Sequence, residues 1–137
     1  MGKLFDLKIL TPEREFFSGS VEAITVSVYD GSMTVLADHI PLIAPLEISS
    51  LRLKMPDGEW REAFNSEGFM EVRREGVLLF VQTCEWPEEI DARRAEEARL
   101  RAEELLRQRH SMSEYQQSKI DLARAMERLR VTKSRRS

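Results

Sequence analysis

The sequence predicts an α+β chain: an N-terminal antiparallel β-sandwich over residues 1–86, then a C-terminal antiparallel helical hairpin over residues 87–137. Three observations predict it. Apolar residues recur at every second position as far as Trp86, and at every third or fourth position beyond Pro87. The turn pairs Asp30-Gly31, Asp57-Gly58 and Glu75-Gly76 punctuate the first part at close spacing, with no helical pattern between them. Charge changes sign at the same boundary: the first 86 residues carry eight basic and fourteen acidic side chains, the remainder thirteen basic and ten acidic.

The elements follow in order. Phe5, Leu7 and Ile9 alternate in a first strand that Thr11-Pro12 ends, because proline cannot continue a hydrogen-bonded ladder. Gly19 marks a turn, and Val21–Val28 reads as a second strand with Ile24, Val26 and Val28 on one face. Met33–Leu36 and Ile40–Ala44 are short strands around Asp38-His39. Ile48–Met55 and the segment from Trp60 to Asn65 flank Asp57-Gly58, a pair that tolerates the positive φ of a tight hairpin. Gly68 precedes the strand Phe69–Val72, and Glu75-Gly76 leads into Val77–Thr83. About eight short strands in this pattern indicate a sandwich or barrel. Cys84 is the one cysteine; it follows the apolar run Val77–Val81 and reads as a small core residue.

Pro87 suits the opening of a helix, and Glu88, Glu89 and Asp91 complement the positive end of its dipole. Ala95, Ala98, Ala102 and Leu105 form one slim face. His110-Ser111-Met112-Ser113 interrupts, with Ser113 as the expected N-cap of a second helix whose face is Tyr115, Ser118, Leu122, Ala125 and Leu129. A seam of Ala and Ser buries little apolar area, so at roughly 25 cal/mol per Å² the hairpin gains less than a Leu-rich one. An arm that opens is therefore expected.

Several function classes are excluded or weakened. No apolar run approaches the roughly 18 residues a membrane span needs, and Met1–Leu10 lacks the charged, apolar and small-residue regions of a signal peptide. Neither His39 nor His110 stands in a nucleophile motif, no phosphate loop occurs, and no Cys/His cluster has metal spacing. A catalytic role and a bound metal are not expected. The basic tail, Arg128, Arg130, Lys133, Arg135 and Arg136, would attract an acidic surface. Nucleic acid is an alternative partner, but the acidic sandwich and the lack of interleaved aromatic and basic residues speak against it.

Residues in both halves carry a family resemblance. Thr11-Pro12-Glu13-Arg14, Phe16-Phe17-x-Gly19, Val21-Glu22-Ala23-Ile24, Asp30-Gly31, His39-x-Pro41-Leu42, Gly68-Phe69 and Ile90-Asp91-x-x-Arg94-Ala95 occur in this order and spacing. Together they resemble the epsilon subunits of bacterial and chloroplast F-type ATP synthases along nearly the whole chain. The resemblance implies a non-catalytic rotor subunit of a proton- or sodium-translocating enzyme. In that family the sandwich binds the gamma subunit and rests on the c-ring. The helical arm either folds against the sandwich or extends into the catalytic head of alpha and beta subunits, where it blocks ATP hydrolysis. It implies a peripheral location on the cytoplasmic face of a bacterial inner membrane, or the stromal side of a thylakoid. The loop departs from the family pattern: Gly31-Ser32-Met33-Thr34 and Ala37-Asp38-His39 stand where an acid and Pro-Gly-His are common. Ser32 removes a charge from the ring-facing loop, and Asp38 must supply the left-handed conformation glycine usually gives.

Carried over residue by residue, the resemblance implies three candidate sites. Glu85, Ile90, Asp91, Arg94, Ala95, Arg124 and Arg128 match positions that hold ATP in nucleotide-binding members, where ATP is a regulatory ligand rather than a required cofactor. Arg124, Arg128, Arg130 and Lys133 would meet acids of the catalytic head. Asp30, Ser32 and His39 would face gamma and the c-ring. The other reading pairs Asp91 with Arg94 locally and makes Arg124 and Arg128 a positive face of the arm that meets acids of the beta subunit. Arg93, Arg99, Arg101, Arg107 and Arg109, alternating with Glu96, Glu97, Glu103 and Glu104, read as a solvated face. A free-standing ATP sensor without a motor is a further alternative, separable by co-purification with gamma.

Overall fold

A computed structural model of the chain describes residues 2–108 and 111–136, with side chains described as far as Lys133. The expectations for Arg109, His110, Arg135 and Arg136 lie outside the described side chains. Two compact units form, Met1–Glu85 and Trp86–Ser137.

The first unit is a β-sandwich of ten strands: β1 (Phe5–Leu10), β2 (Glu15–Val21), β3 (Ala23–Val28), β4 (Gly31–Leu36), β5 (Leu42–Leu46), β6 (Ser49–Lys54), β7 (Trp60–Asn65), β8 (Gly68–Arg73), β9 (Gly76–Val81) and β10 (Cys84–Glu85). One sheet has the order β2-β1-β9-β8-β5, the other β10-β7-β6-β3-β4. Pairing is antiparallel except between β1 and β9, which run parallel with Leu7 opposite Val77. The core comes from alternate residues of both sheets: Leu7, Ile9, Ile24, Val26, Val35, Leu51, Leu53, Met70 and Leu79 are buried. Cys84 is buried with them.

The sequence reading is corrected at β2. The stretch read as a turn around Gly19 is a strand, and the second strand splits at Glu22. The β1–β2 register shifts between Ile9 and Leu10, at Phe16, and Ser18-Gly19-Ser20 are exposed without an apolar residue to mark the alternation. Asp38 adopts φ 66°, as the loop requires.

In the second unit, Pro87–Glu89 is a 3-10 turn and α1 spans Ala92–Arg107. The expected helix start at Pro87 is thus displaced by five residues. Ile90 is extended, and Asp91 is the N-cap, its carboxylate accepting from the Arg94 N–H at 3.2 Å. The second helix, α2, spans Met112–Arg136. Its cap is Ser111 rather than Ser113: the Ser111 hydroxyl accepts from the Glu114 N–H at 3.2 Å and its carbonyl accepts from the Tyr115 N–H at 3.0 Å.

The two helices pack along small residues. Ala95, Ala102, Ser118 and Ala125 are buried, with Ala98, Leu122 and Leu129 half-buried beside them. Leu105 lies off the seam at 45 % exposure, and half-buried Leu106 takes its place. Eleven residues from Ala95 make three turns and return to the same face, whereas ten do not. The return is antiparallel: Thr132, near the end of α2, lines a hollow together with Pro87 and Ala92. Val131, which the sequence pattern did not mark, is fully buried.

Candidate functional site

Within the hairpin, side-chain placement follows from the seam. Glu96 directly follows Ala95, and its carboxyl is held below its usual range chiefly by hydrogen bonding to Arg99, with a smaller contribution from the charge of Lys133. Lys133 directly follows Thr132. Residues that follow seam positions therefore share one side of the hairpin. On that side Arg99 donates to Glu96 and also to Glu103, the latter at 2.6 Å, and the paired carboxylates keep its guanidinium charged well above the ordinary range.

Residues that precede seam positions fall on the other side. The arginines among them are Arg94 before Ala95, Arg101 before Ala102, Arg124 before Ala125 and Arg128 before Leu129; the acids Glu97 before Ala98 and Asp121 before Leu122 fall there too. The structure so brings Arg94, Arg124 and Arg128 to one cationic flank. Arg124 and Arg128 are one turn apart and half-buried; Arg94 is exposed. Arg101, exposed and seven residues beyond Arg94, joins them. Sequence reasoning grouped Arg101 with the solvated face; the signal available was its place directly before a seam alanine.

The remaining nucleotide candidates are distributed differently. Ala95 is seam packing. Asp91 is engaged as the cap. Half-buried Ile90 donates its N–H to the Pro87 carbonyl at 3.2 Å. Ile90, Asp91, Arg93 and Thr132 line the open hollow of about 580 Å³ at the start of α1. Glu85 ends the sandwich unit on β10, opposite Phe64 of β7.

The four cations expected to face a catalytic head divide. Arg124 and Arg128 lie on the cationic flank. Arg130, exposed, is bound to Glu127 at 3.0 Å, and Lys133 lies on the side of Glu96.

On the sandwich, Asp30 and Ser32 are exposed at the β3–β4 turn, next to Tyr29 at 85 % exposure. His39 lies past the far end of β4. Its N–H reaches the Leu36 carbonyl at 3.3 Å, and its Nδ1–H donates to the Ile40 carbonyl at 2.8 Å. Six extended residues separate the two positions, about 20 Å at the strand rise. The structure does not join Asp30, Ser32 and His39 in one site.

The outer face of the β2-β1-β9-β8-β5 sheet carries an apolar row that sequence reasoning also missed. Strand register aligns Leu10, Phe80, Phe69 and Pro45 across β1, β9, β8 and β5. The Phe69 and Phe80 rings stack at 5.1 Å. Phe69 is 43 % exposed, and Ile43 in the adjoining row is 70 % exposed. Among the described residues, no group of three or more His, Cys, Asp or Glu is placed to hold a metal.

Comparison with known proteins accounts for both units. Residues 4–87 match the family described as "ATP synthase, Delta/Epsilon chain, beta-sandwich domain", and residues 88–133 match "ATP synthase, Delta/Epsilon chain, long alpha-helix domain". The chain belongs to the ATP synthase delta/epsilon family. Within it, the chain is similar to bacterial epsilon chains. It is 49% identical over 132 residues to the ATP synthase epsilon chain of Caldanaerobacter subterraneus subsp. tengcongensis, covering 96% of this chain and 95% of that one. It is 45% identical over 132 residues to the epsilon chain of Ruminiclostridium cellulolyticum, covering 96% and 98%. The epsilon fold recurs in a chain of the Euglena gracilis mitochondrial ATP synthase structure titled OSCP/F1/c-ring in rotational state 1 (TM-score 0.80, 21% identity, 98% of this chain and 82% of that one). A chain of the Tetrahymena thermophila mitochondrial ATP synthase central stalk and c-ring also has it (TM-score 0.70, 12% identity, 96% and 98%). No helix among the described residues is long and apolar enough to cross a membrane.

Proposed function

We propose that this epsilon chain is a non-catalytic rotor subunit with two tasks: its sandwich couples gamma to the c-ring, and its hairpin is a mobile brake on ATP hydrolysis. Membership in the family is the frame. The observation that carries the coupling task is the row Leu10, Phe80, Phe69 and Pro45, an exposed apolar face with two stacked aromatics in a sheet already complete in its own core. Such a face suits a permanent partner, and gamma is the partner the family implies. The turn at Asp30 and Ser32 is suited to the c-ring. The chain itself sits at the membrane as a peripheral subunit, with no described helix long and apolar enough to cross.

The braking task rests on the seam. Ala95, Ala102, Ser118 and Ala125 hold the helices with little buried area, so opening costs less than in a Leu-zipped pair. The released cationic flank, led by Arg124 and Arg128, would meet acids of the beta subunit, with Arg130 and Lys133 contacting from the other side.

ATP as a regulatory ligand of the folded hairpin is a second reading, favoured by the gathering of Arg94, Arg101, Arg124 and Arg128 on one side. Guanidinium forks suit phosphate oxygens; the hollow beside Ile90 and Asp91 is lined by Arg93 rather than by these four.

The coupling task is tested by mixing the chain with gamma. A stable one-to-one complex that Phe69→Glu and Phe80→Glu each abolish is expected. Complex formation indifferent to both substitutions would overturn the assignment of this face. Calorimetry with ATP, with and without magnesium, tests the second reading: no heat in either condition removes it.

A further inference from the structure

The turn Thr11-Pro12-Glu13-Arg14 carries part of the family resemblance, yet neither task assigned above uses it. Its geometry is tightly specified. Pro12 presets the backbone for a turn. Thr11 donates its N–H to the Arg14 carbonyl at 2.9 Å, and its hydroxyl accepts the Arg14 N–H at 3.1 Å. The backbone of Arg14 is thereby fixed where β1 turns into β2. The side chain is held as well. Its guanidinium lies 5.3 Å from the centre of the buried Phe16 ring, and its Nη2 donates to the Cys84 carbonyl at 3.1 Å.

Cys84 belongs to β10, which is two residues long and lies at a sheet edge with β7 as its neighbour. It pairs through Cys84 opposite Asn65 and Glu85 opposite Phe64. A strand so short needs support from outside its ladder. Upstream, fully buried Ser66 supplies it: its hydroxyl accepts the Thr83 N–H at 2.7 Å and its N–H donates to the Thr83 carbonyl at 2.9 Å. Downstream, the sandwich unit ends at Glu85. Trp86 is already bound into the next turn, donating its N–H to Glu89 Oε1 at 2.8 Å and accepting the Glu89 N–H at 2.9 Å. Pro87 restricts Trp86 to extended backbone, and it stands at φ −70° and ψ 154°.

We propose that Arg14 is a positioning residue that pins β10 to the sandwich, so that the hairpin swings about the Glu85–Trp86 junction instead of peeling the strand away. The pivot rests on the mobile hairpin of the proposed brake; the pin does not. A large dihedral change falls on the few residues that join two held segments, and here Thr83 to Glu85 are held on one side and Trp86 to Glu89 on the other. Without the pin, an opening arm draws out Cys84 and Glu85, which lengthens its tether by about 7 Å at the strand rise and loosens its aim. Cys84 is the one cysteine and is 2 % exposed, so access to its thiol reports the opening of β10.

Labelling of Cys84 in the full chain with an aromatic disulfide reagent, at urea concentrations below the unfolding transition, tests the pin. Arg14→Ala is expected to label about tenfold faster than wild type, the factor a charge-assisted hydrogen bond supplies. The faster rate should be nearly independent of urea, because peeling two residues exposes little surface. Arg74→Ala, at an exposed arginine in the β8–β9 turn, is expected to label as wild type does. An Arg14→Ala rate equal to wild type, or one that climbs with urea as steeply as global unfolding, would overturn the pin. The pivot is read in an assembly with alpha, beta and gamma subunits under conditions where ATP hydrolysis is inhibited, with the label on this chain measured by mass. Wild-type Cys84 is expected to stay protected there and the Arg14→Ala thiol to react; a wild-type thiol that reacts in the inhibited assembly would overturn the pivot. Failure of the brake leaves the free-chain result untouched, so the two are distinguishable.

Discussion

The Asp91 carboxylate accepts the backbone N–H of Arg94 at 3.2 Å, so the acid and the cation that look like one ligand pair are first a helix cap. The cap separates two roles experimentally. Asp91→Ala removes the acceptor and is expected to weaken the start of α1 by about 1 kcal/mol, whereas Asp91→Asn retains a cap of similar quality. Thermal melts followed by far-ultraviolet circular dichroism check this. Equal loss in both variants would mean that charge, not capping, is what Asp91 supplies to the fold.

Replacing Arg124 and Arg128 together by alanine is expected to release the brake. Each charge-assisted contact contributes on the order of 1.5 kcal/mol, roughly tenfold in the population of the inhibited state. The ATPase rate of the assembled enzyme should rise several-fold. Arg130→Ala is expected to have a smaller effect, since Arg130 is bound to Glu127 and lies away from the flank.

Gly68 admits no side chain. A Cβ there would lie 2.0 Å from the Phe80 carbonyl oxygen and 2.7 Å from the Val81 Cα, both backbone atoms with no room to yield. Gly68→Ala is expected to destabilise the sandwich by at least about 2 kcal/mol, measured by urea denaturation. It should also disturb the neighbouring Phe69–Phe80 stack and weaken binding to gamma.

The hairpin carries an acid-sensitive ion network. Glu96 is held below its ordinary value of 4.5, first by hydrogen bonding to Arg99. A carboxylate lowered in the folded state contributes stability that is complete above its unfolded pKa and is lost as pH falls through the folded value. Helicity should therefore decline more steeply below about pH 4.5 in wild type than in Glu96→Gln. Circular dichroism at 222 nm across an acid titration reads the difference, and superimposable curves would remove Glu96 from the network.

Much of the fold was legible because its punctuation is strong. Asp57-Gly58 and Glu75-Gly76 mark hairpins that the structure contains, and Asp38 takes its positive φ as expected. β2 was not legible, because Ser18-Gly19-Ser20 offer no apolar residue to mark its alternation and the register shift displaces Phe16. The true start of α1 was hidden by Pro87 and three acids, which suit a helix start but here surround a 3-10 turn and an extended Ile90. Of the candidate site, Arg94, Arg124 and Arg128 were already grouped through the family resemblance, and Arg101 was not. Periodicity gives a helix face, but which flank faces the same way on two antiparallel helices depends on the seam. Each flank arginine precedes a seam residue that the sequence pattern had already marked, and the shared side follows once the two helices are known to pack antiparallel. The apolar row on the outer sheet face was invisible for a related reason: Leu10, Pro45, Phe69 and Phe80 come from four strands distant in sequence, and register alone aligns them.

The most direct measurement is the ATP hydrolysis rate of an assembly of alpha, beta and gamma subunits as the full chain is titrated in. The rate is predicted to fall and to level off at one chain per gamma. A rate unchanged at saturation, with binding to gamma verified, would contradict the brake and leave only the coupling role.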